Sequence, residues 1–161
     1  MAKTYPTRID IPEGSRVKLI ELLNVNLAEC LDLYSQVKQA HWNVKGTDFI
    51  QLHEFFDELA ESLELHADEI AERATALGGV ALGTVRMTSS TSTLPEYPND
   101  VADGMKHVGL LVDRYGAFAN RVRAAIDTAD ELADADTADL FTGVSREVDK
   151  HLWFLEAHLQ A

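Results

Sequence analysis

The stretch "AHWNVKGTDFIQLHEFFD", residues 40–57, sets a glycine between two histidines and follows the second with an aspartate one helical turn later. His41 stands five residues before Gly46, while His53 and Asp57 lie four apart beyond it. On both sides apolar residues recur at gaps of mostly three and four. Upstream they are Ile20, Leu23, Leu27, Cys30, Tyr34 and Val37, with His41 continuing the row. Downstream they are Phe49, Leu52, Phe56, Leu59, Leu63, Ile70, Ala74 and Leu77. That period marks one buried helical face. Residues 40–57 therefore read as the corner of a helical hairpin, with Gly46 stopping the first helix and Asp48 capping the second. Ser15 is the expected N-cap of the first helix, and Gly78-Gly79 the terminator of the second.

Residues 80–99 lose the period. The run "TSSTSTLPEYPN", residues 88–99, reads as a long connection with room for one short helical turn. A third stripe follows an expected Asn99/Asp100 cap: Val101, Met105, Val108, Val112, Tyr115, Ala119, Val122 and Ile126. A fourth runs Phe141, Val144, Val148, Leu152, Leu155 and Leu159. No segment alternates as a strand does. Four long helices with a long crossover between the second and third describe an all-α, ferritin-like four-helix bundle.

At 161 residues the chain reads as one domain over 1–161, with a short N-terminal arm at 1–14. Its 14 basic residues against 27 acidic ones leave a net charge of −13. Such a surface repels nucleic acid and anionic membranes and attracts cations. In the arm, Lys3 and Arg8 are offset by Asp10 and Glu13, and the sequence ends at Ala161 without a basic tail. No DNA-binding appendage is expected. No segment has a signal peptide's apolar core or membrane-spanning length, which points to the cytoplasm. The lone Cys30 falls on the apolar stripe and reads as a small buried hydrophobe in a reducing compartment.

His53 and Asp57 share a helix face, and so do Asp68 and Glu72 further along the same helix. Either pair alone is ordinary for a solvated face. Asp57 and Asp68 are eleven residues apart and point the same way, but sit roughly 16 Å apart along the axis. One ion cannot touch both in one chain. Two copies packed antiparallel about a twofold axis between residues 62 and 63 set Asp57 opposite the partner subunit's Asp68, and His53 opposite the partner subunit's Glu72. The hairpin lifts His41 to the height of His53. Two imidazoles and three carboxylates make a mixed N/O shell suited to Fe(II), and acceptable to zinc. Without a cation, the clustered carboxylates would raise one another's pKa. Bundles that hold two irons within one subunit use Glu-x-x-His pairs, and no glutamate in this sequence precedes a histidine by three.

The segments "AHWNVKG…F…LHEFFD…ADEIAERATALGGVALGT" and "DADTADLFTGVSREVDKHLWFLEAHL" resemble the Dps family, ferritin-like miniferritins named for protecting DNA in starved cells. The resemblance implies iron ligands at His41, His53 and Asp57 of one subunit and at Asp68 and Glu72 of its twofold mate. It implies a hollow shell of twelve subunits, built from twofold dimers. That shell oxidises Fe(II), preferably with hydrogen peroxide rather than oxygen, and mineralises Fe(III) inside. Trp42 is similar to a tryptophan the family keeps beside its iron, and reads either as an interface aromatic or as a redox residue. Asp130, Asp134, Asp136 and Asp139 match the acidic lining of the family's threefold iron pores; the plainer reading is a solvated loop with a capping aspartate, Asp136 or Asp139. His66 reads as structural or solvated. His107, His151 and His158 read as surface or helix-pair contacts, with Asp103 and Glu147 four residues before the first two. The lysine-rich arm through which better-known members bind DNA has no counterpart at 1–14. Iron oxidation and storage are therefore expected ahead of the alternative, a DNA-compacting role.

Overall fold

The four periodic segments form four long helices, and a short fifth interrupts the crossover. In the computed structural model, which describes residues 4–160, these are α1 Glu13–Asn43, α2 Phe49–Ala76, α3 Val85–Thr91, α4 Gly104–Glu131 and α5 Ala135–Ala157. Lys3 and Ala161, which entered the readings of the arm and the tail, lie outside the described residues. No strand forms among the described residues; an isolated parallel bridge joins Lys45 to Asp103. No helix among them is long and apolar enough to cross a membrane.

α1 packs along α2 and α4 along α5, and the two hairpins close on each other through α1 with α4 and α2 with α5. Leu23, Leu33, Phe56, Tyr115, Phe118 and Phe141 are fully buried at their meeting. Each such side chain contributes on the order of 1.5–3 kcal/mol by leaving water.

Helix ends depart from the sequence reading in three places. α1 begins at Glu13 rather than after Ser15, because the Pro12 carbonyl accepts from the Ser15 and Arg16 N–H groups at 2.9 and 3.0 Å. α4 begins at Gly104, not after Asn99/Asp100, and Val101 falls outside it. The Lys45 N–H donates to the Ala102 carbonyl at 2.8 Å, so the chain pairs with the hairpin corner before it coils. Asp103 then caps α4, its Oδ1 accepting from the Lys106 N–H at 3.0 Å. α5 is capped by Asp134, not by Asp136 or Asp139: its Oδ1 accepts from the Thr137 N–H at 3.2 Å. Asp48 occupies the N-cap position of α2 but makes no side-chain capping bond.

Two glycines turn the chain where expected. Gly46 adopts φ 118° in the hairpin corner. Gly78 ends α2 at φ 87°, and a Cβ there would stand 2.4 Å from the Tyr5 carbonyl oxygen. The crossover lies along α1 and is pinned by buried polar side chains. Asn24 Oδ1 accepts from the Leu82 N–H (2.8 Å), Glu29 Oε1 from the Thr93 N–H (2.9 Å), and Gln36 Nε2 donates to the Pro95 carbonyl (3.1 Å). α1 is thus covered on two sides, which satisfies the crossover backbone and buries polar residues in a helix that also carries an apolar stripe.

Candidate metal centre

His41 is in the last turn of α1 and His53 in the second turn of α2, facing each other across the Gly46 corner. Their rings stack with centroids 3.8 Å apart and planes 19° from parallel. His41 Nδ1 lies 2.7 Å from the His53 carbonyl oxygen, and His53 Nδ1 lies 2.9 Å from the His41 carbonyl oxygen. A carbonyl only accepts, so each Nδ1 carries a proton, and in the neutral ring it is Nε2 that holds the lone pair. This is the outer bond that fixes tautomer and orientation in metal-binding histidines.

Asp57 is one turn beyond His53. Its Oδ1 lies 3.9 Å from His41 Nε2 and 2.6 Å from the ammonium of Lys38. Lys38 holds the Asp57 carboxyl below its ordinary pKa, with His41 and His53 acting in the same direction against partial burial. Lys38 was not singled out from the sequence, although its place one turn before His41 is the signal that would have found it. Its Nζ also stands 5.9 Å from the ring centroid of Trp42, which is 66% exposed.

Asp68 and Glu72 are exposed further along α2, and their carboxylates make no hydrogen bond or ion pair within the chain among the described residues. Among those residues no three His, Cys, Asp or Glu side chains converge to hold a metal within one chain. His41, His53 and Asp57 are neighbours without forming a closed ligand set in one chain, and Asp68 and Glu72 face outward. Asp68 borders an open groove of about 780 Å³ whose apolar walls include Leu27, Leu31, Leu65 and Ala67. Leu65, near the middle of α2, is 67% exposed.

The acidic cluster divides. Asp130, Asp136 and Asp139 are exposed. Asp134 is not available to a pore, which corrects the set of four. It is 3% exposed, takes two bonds from Arg73 Nη2 at 2.8 and 2.9 Å, and caps α5. Burial pushes its pKa up, but bonds from Thr137 and Arg73 outweigh this and hold it below the ordinary value. The tight turn beside it puts Ala133 at φ 59°, closed by the Ala133 N–H donating to the Asp130 carbonyl and the Asp134 N–H to the Ala129 carbonyl.

The remaining histidines are varied. His66 Nδ1 lies 3.4 Å from Glu69, with Nε2 buried and unpartnered. His151 Nε2 lies 3.3 Å from Glu147 on α5, and His158 stacks on Phe55. His107, expected at a surface or helix-pair contact, is instead 1% exposed and bonded to Tyr97.

Residues 20–161 match the ferritin-like domain family. Over 158 residues, 98% of either chain, the sequence is 48% identical to the DNA protection during starvation protein of Agrobacterium fabrum. The fold is similar to DpsA14 from Streptomyces coelicolor, with a TM-score of 0.94 at 34% identity over 99% of this chain and 95% of that one. A Dps protein from Vibrio cholerae O1, described as a member of a broad superfamily of ferritin-like diiron-carboxylate proteins, matches with a TM-score of 0.91 at 28% identity. That match covers 99% of this chain and 100% of the other. A domain match over most of the length and a relative this similar from end to end lead to one conclusion: the chain belongs to the Dps family of ferritin-like proteins.

Proposed function

We propose that this chain is a ferroxidase and iron store. In this reading His41, His53 and Asp57 of one subunit, with Asp68 and Glu72 of its twofold mate, bind Fe(II). Two ferrous ions supply the two electrons that cleave the O–O bond of hydrogen peroxide. The Fe(III) collects as mineral inside a hollow cytoplasmic shell of twelve subunits, which limits oxidative damage. The observation that carries the reading is the reciprocal His41–His53 bonding, which leaves two Nε2 lone pairs free beside a carboxylate. The unpartnered Asp68 and Glu72, and the apolar groove beside the middle of α2, support a second copy packed there. Asp130, Asp136 and Asp139 serve in this reading as a cation-gathering rim for incoming iron.

The test is Fe(II) added anaerobically to metal-free protein, followed by peroxide or oxygen, with Fe(III) formation recorded optically. Peroxide should oxidise the bound iron far faster than iron in buffer, and His53→Ala with Asp57→Ala should abolish the difference. Oxidation at the buffer rate in the unaltered protein contradicts the proposal. A zinc-loaded arm, read by loss of that oxidation, tells whether zinc competes for the same ligands.

The name of the Agrobacterium relative carries a second reading, DNA protection by binding. The net charge of −13 opposes it, and in residues 4–12 the only cation, Arg8, is offset by Asp10. The Tyr5 N–H donates to the Gly78 carbonyl at 2.7 Å, which ties the arm to the end of α2. A gel shift with long duplex DNA and a chelator should show no retardation at physiological salt; tight, metal-independent retardation would favour DNA binding.

A further inference from the structure

Tyr97, on the crossover, is 7% exposed, and its hydroxyl lies 2.7 Å from Nδ1 of His107 on α4. The two rings are nearly parallel, 8° apart, with centroids separated by 5.9 Å. Tyr97 is the side chain that bonds this imidazole; His107 Nε2 has no well-formed partner among the described residues, although the Val101 backbone is near enough to act on the ring. Burial pushes the Tyr97 phenol well above its ordinary pKa, with the Arg114 guanidinium acting the other way. Burial likewise lowers His107, against smaller opposing effects of the Val101 backbone and Asp103. The resting pair is therefore a neutral phenol donating to a neutral imidazole.

Such a pair responds to loss of an electron rather than to pH. A phenol that loses an electron becomes a strong acid, and the basic nitrogen at 2.7 Å is already placed to take its proton. Tyr115 makes the contrast. It is fully buried, and its hydroxyl has no partner among the described residues, so its proton has no acceptor.

His107 meets Phe56 edge-on, ring centroids 6.5 Å apart, and Phe56 precedes Asp57. Tyr97 and Trp42 line one groove of about 750 Å³ along α1, and Trp42 follows His41. The pair thus borders both helices that carry the candidate iron ligands.

We propose that Tyr97 and His107 form a redox-active pair that absorbs a one-electron oxidising equivalent of the hydroxyl-radical class. The source of that equivalent, ferrous iron meeting peroxide, rests on the ferroxidase reading above. Hydroxyl radical takes one electron, through Trp42 or directly, and leaves as hydroxide. Tyr97 becomes a neutral phenoxyl radical as its proton moves to His107 Nδ1. The next Fe(II) returns the electron and becomes Fe(III), and the proton goes back to the phenoxyl oxygen. The net change is one hydroxyl radical and one Fe(II) converted to hydroxide and Fe(III), with the tyrosine restored.

The test uses metal-free, full-length protein, so it does not depend on iron chemistry. A flash-generated ruthenium(III) tris-bipyridine oxidant is applied in H2O and D2O, and radicals are read by electron paramagnetic resonance after freeze-quenching. The unaltered protein should give a tyrosyl signal that forms more slowly in D2O. Tyr97→Phe should lose that signal while keeping its melting temperature; Tyr34→Phe and Tyr115→Phe should keep the signal. His107→Phe, which removes the acceptor, should lose most of it. Absence of a tyrosyl signal in the unaltered protein, its survival in Tyr97→Phe, or formation indifferent to D2O would each overturn the proposal. Should His107→Phe not fold, the Tyr97→Phe and D2O arms decide alone. Iron oxidation measured separately keeps the two readings apart: a radical without ferroxidase activity sinks only the ferroxidase, and the reverse sinks only the pair.

Discussion

His41 and His53 hold each other: the Nδ1 of each donates to the backbone carbonyl of the other, at 2.7 and 2.9 Å. The bonds cross from the end of α1 to the start of α2, so closing the hairpin and aiming both Nε2 atoms are a single structural event. A ligand pair oriented in this way before metal arrives loses little entropy on binding. The remaining occupant of the site is Lys38, which sits on Asp57 at 2.6 Å.

Lys38 and a metal ion compete for the same carboxylate. Lys38→Met should therefore tighten the binding of Co(II), a spectroscopic stand-in for Fe(II), several-fold in an optical titration; weaker binding would show that Lys38 assists the metal instead. The effect on stability is small, at most about 1 kcal/mol, because the pair is partly exposed. Lys38 depresses the folded-state pKa of Asp57. Its contribution is thus present above the unfolded value and lost as pH falls through the folded one, and in Lys38→Met that loss starts at a higher pH.

Arg73 and Asp134 are 15% and 3% exposed in their side chains, so their pairing is a buried one. Asp134→Ala removes a helix cap and takes from the Arg73 guanidinium its buried counter-ion, leaving it Thr137 and the exposed Asp136, and should cost about 3 kcal/mol in urea unfolding at neutral pH. Asp134 has a depressed folded-state pKa. Its stabilisation is present above the ordinary aspartate value and disappears as pH falls through the folded value. The gap between the two proteins should therefore narrow as the pH is taken below the ordinary aspartate range. A gap that stays constant into acid would assign the loss to packing rather than to charge.

Asp130 and Asp139 are exposed, while Asp134 is committed to Arg73. Asp130→Asn with Asp139→Asn should slow iron uptake most at low ionic strength, where carboxylate fields are least screened. Iron already bound should still react with peroxide at the original rate. Uptake kinetics unchanged at low salt would remove these residues from the path of iron.

The hairpin, the crossover with its short helix and the facing histidines were legible because they depend on local spacing. Gaps of three and four residues define the helix faces, and Gly46 and Gly78 mark the turns. What escaped depends on partners distant in sequence. The start of α4 is set by Lys45, and the fate of Asp134 by Arg73. Asn24, Glu29 and Gln36 look like solvated positions until the crossover lies over them. His107 reads as a surface or helix-pair contact, whereas it is buried with Tyr97 of the crossover as its partner.

The central claim is that half of each iron site comes from a second subunit, and mixed assembly tests it most directly. One variant carries His53→Ala and Asp57→Ala and retains Asp68 and Glu72. The other carries Asp68→Ala and Glu72→Ala and retains His53 and Asp57. Each is inactive alone on this account, whereas shells co-assembled from both regain an intact ligand set at every mixed twofold interface. Peroxide-dependent Fe(II) oxidation, measured on shells reassembled from equal amounts of the two, should return to a substantial fraction of the unaltered rate. Mixed shells that oxidise iron no faster than either parent would contradict the shared site.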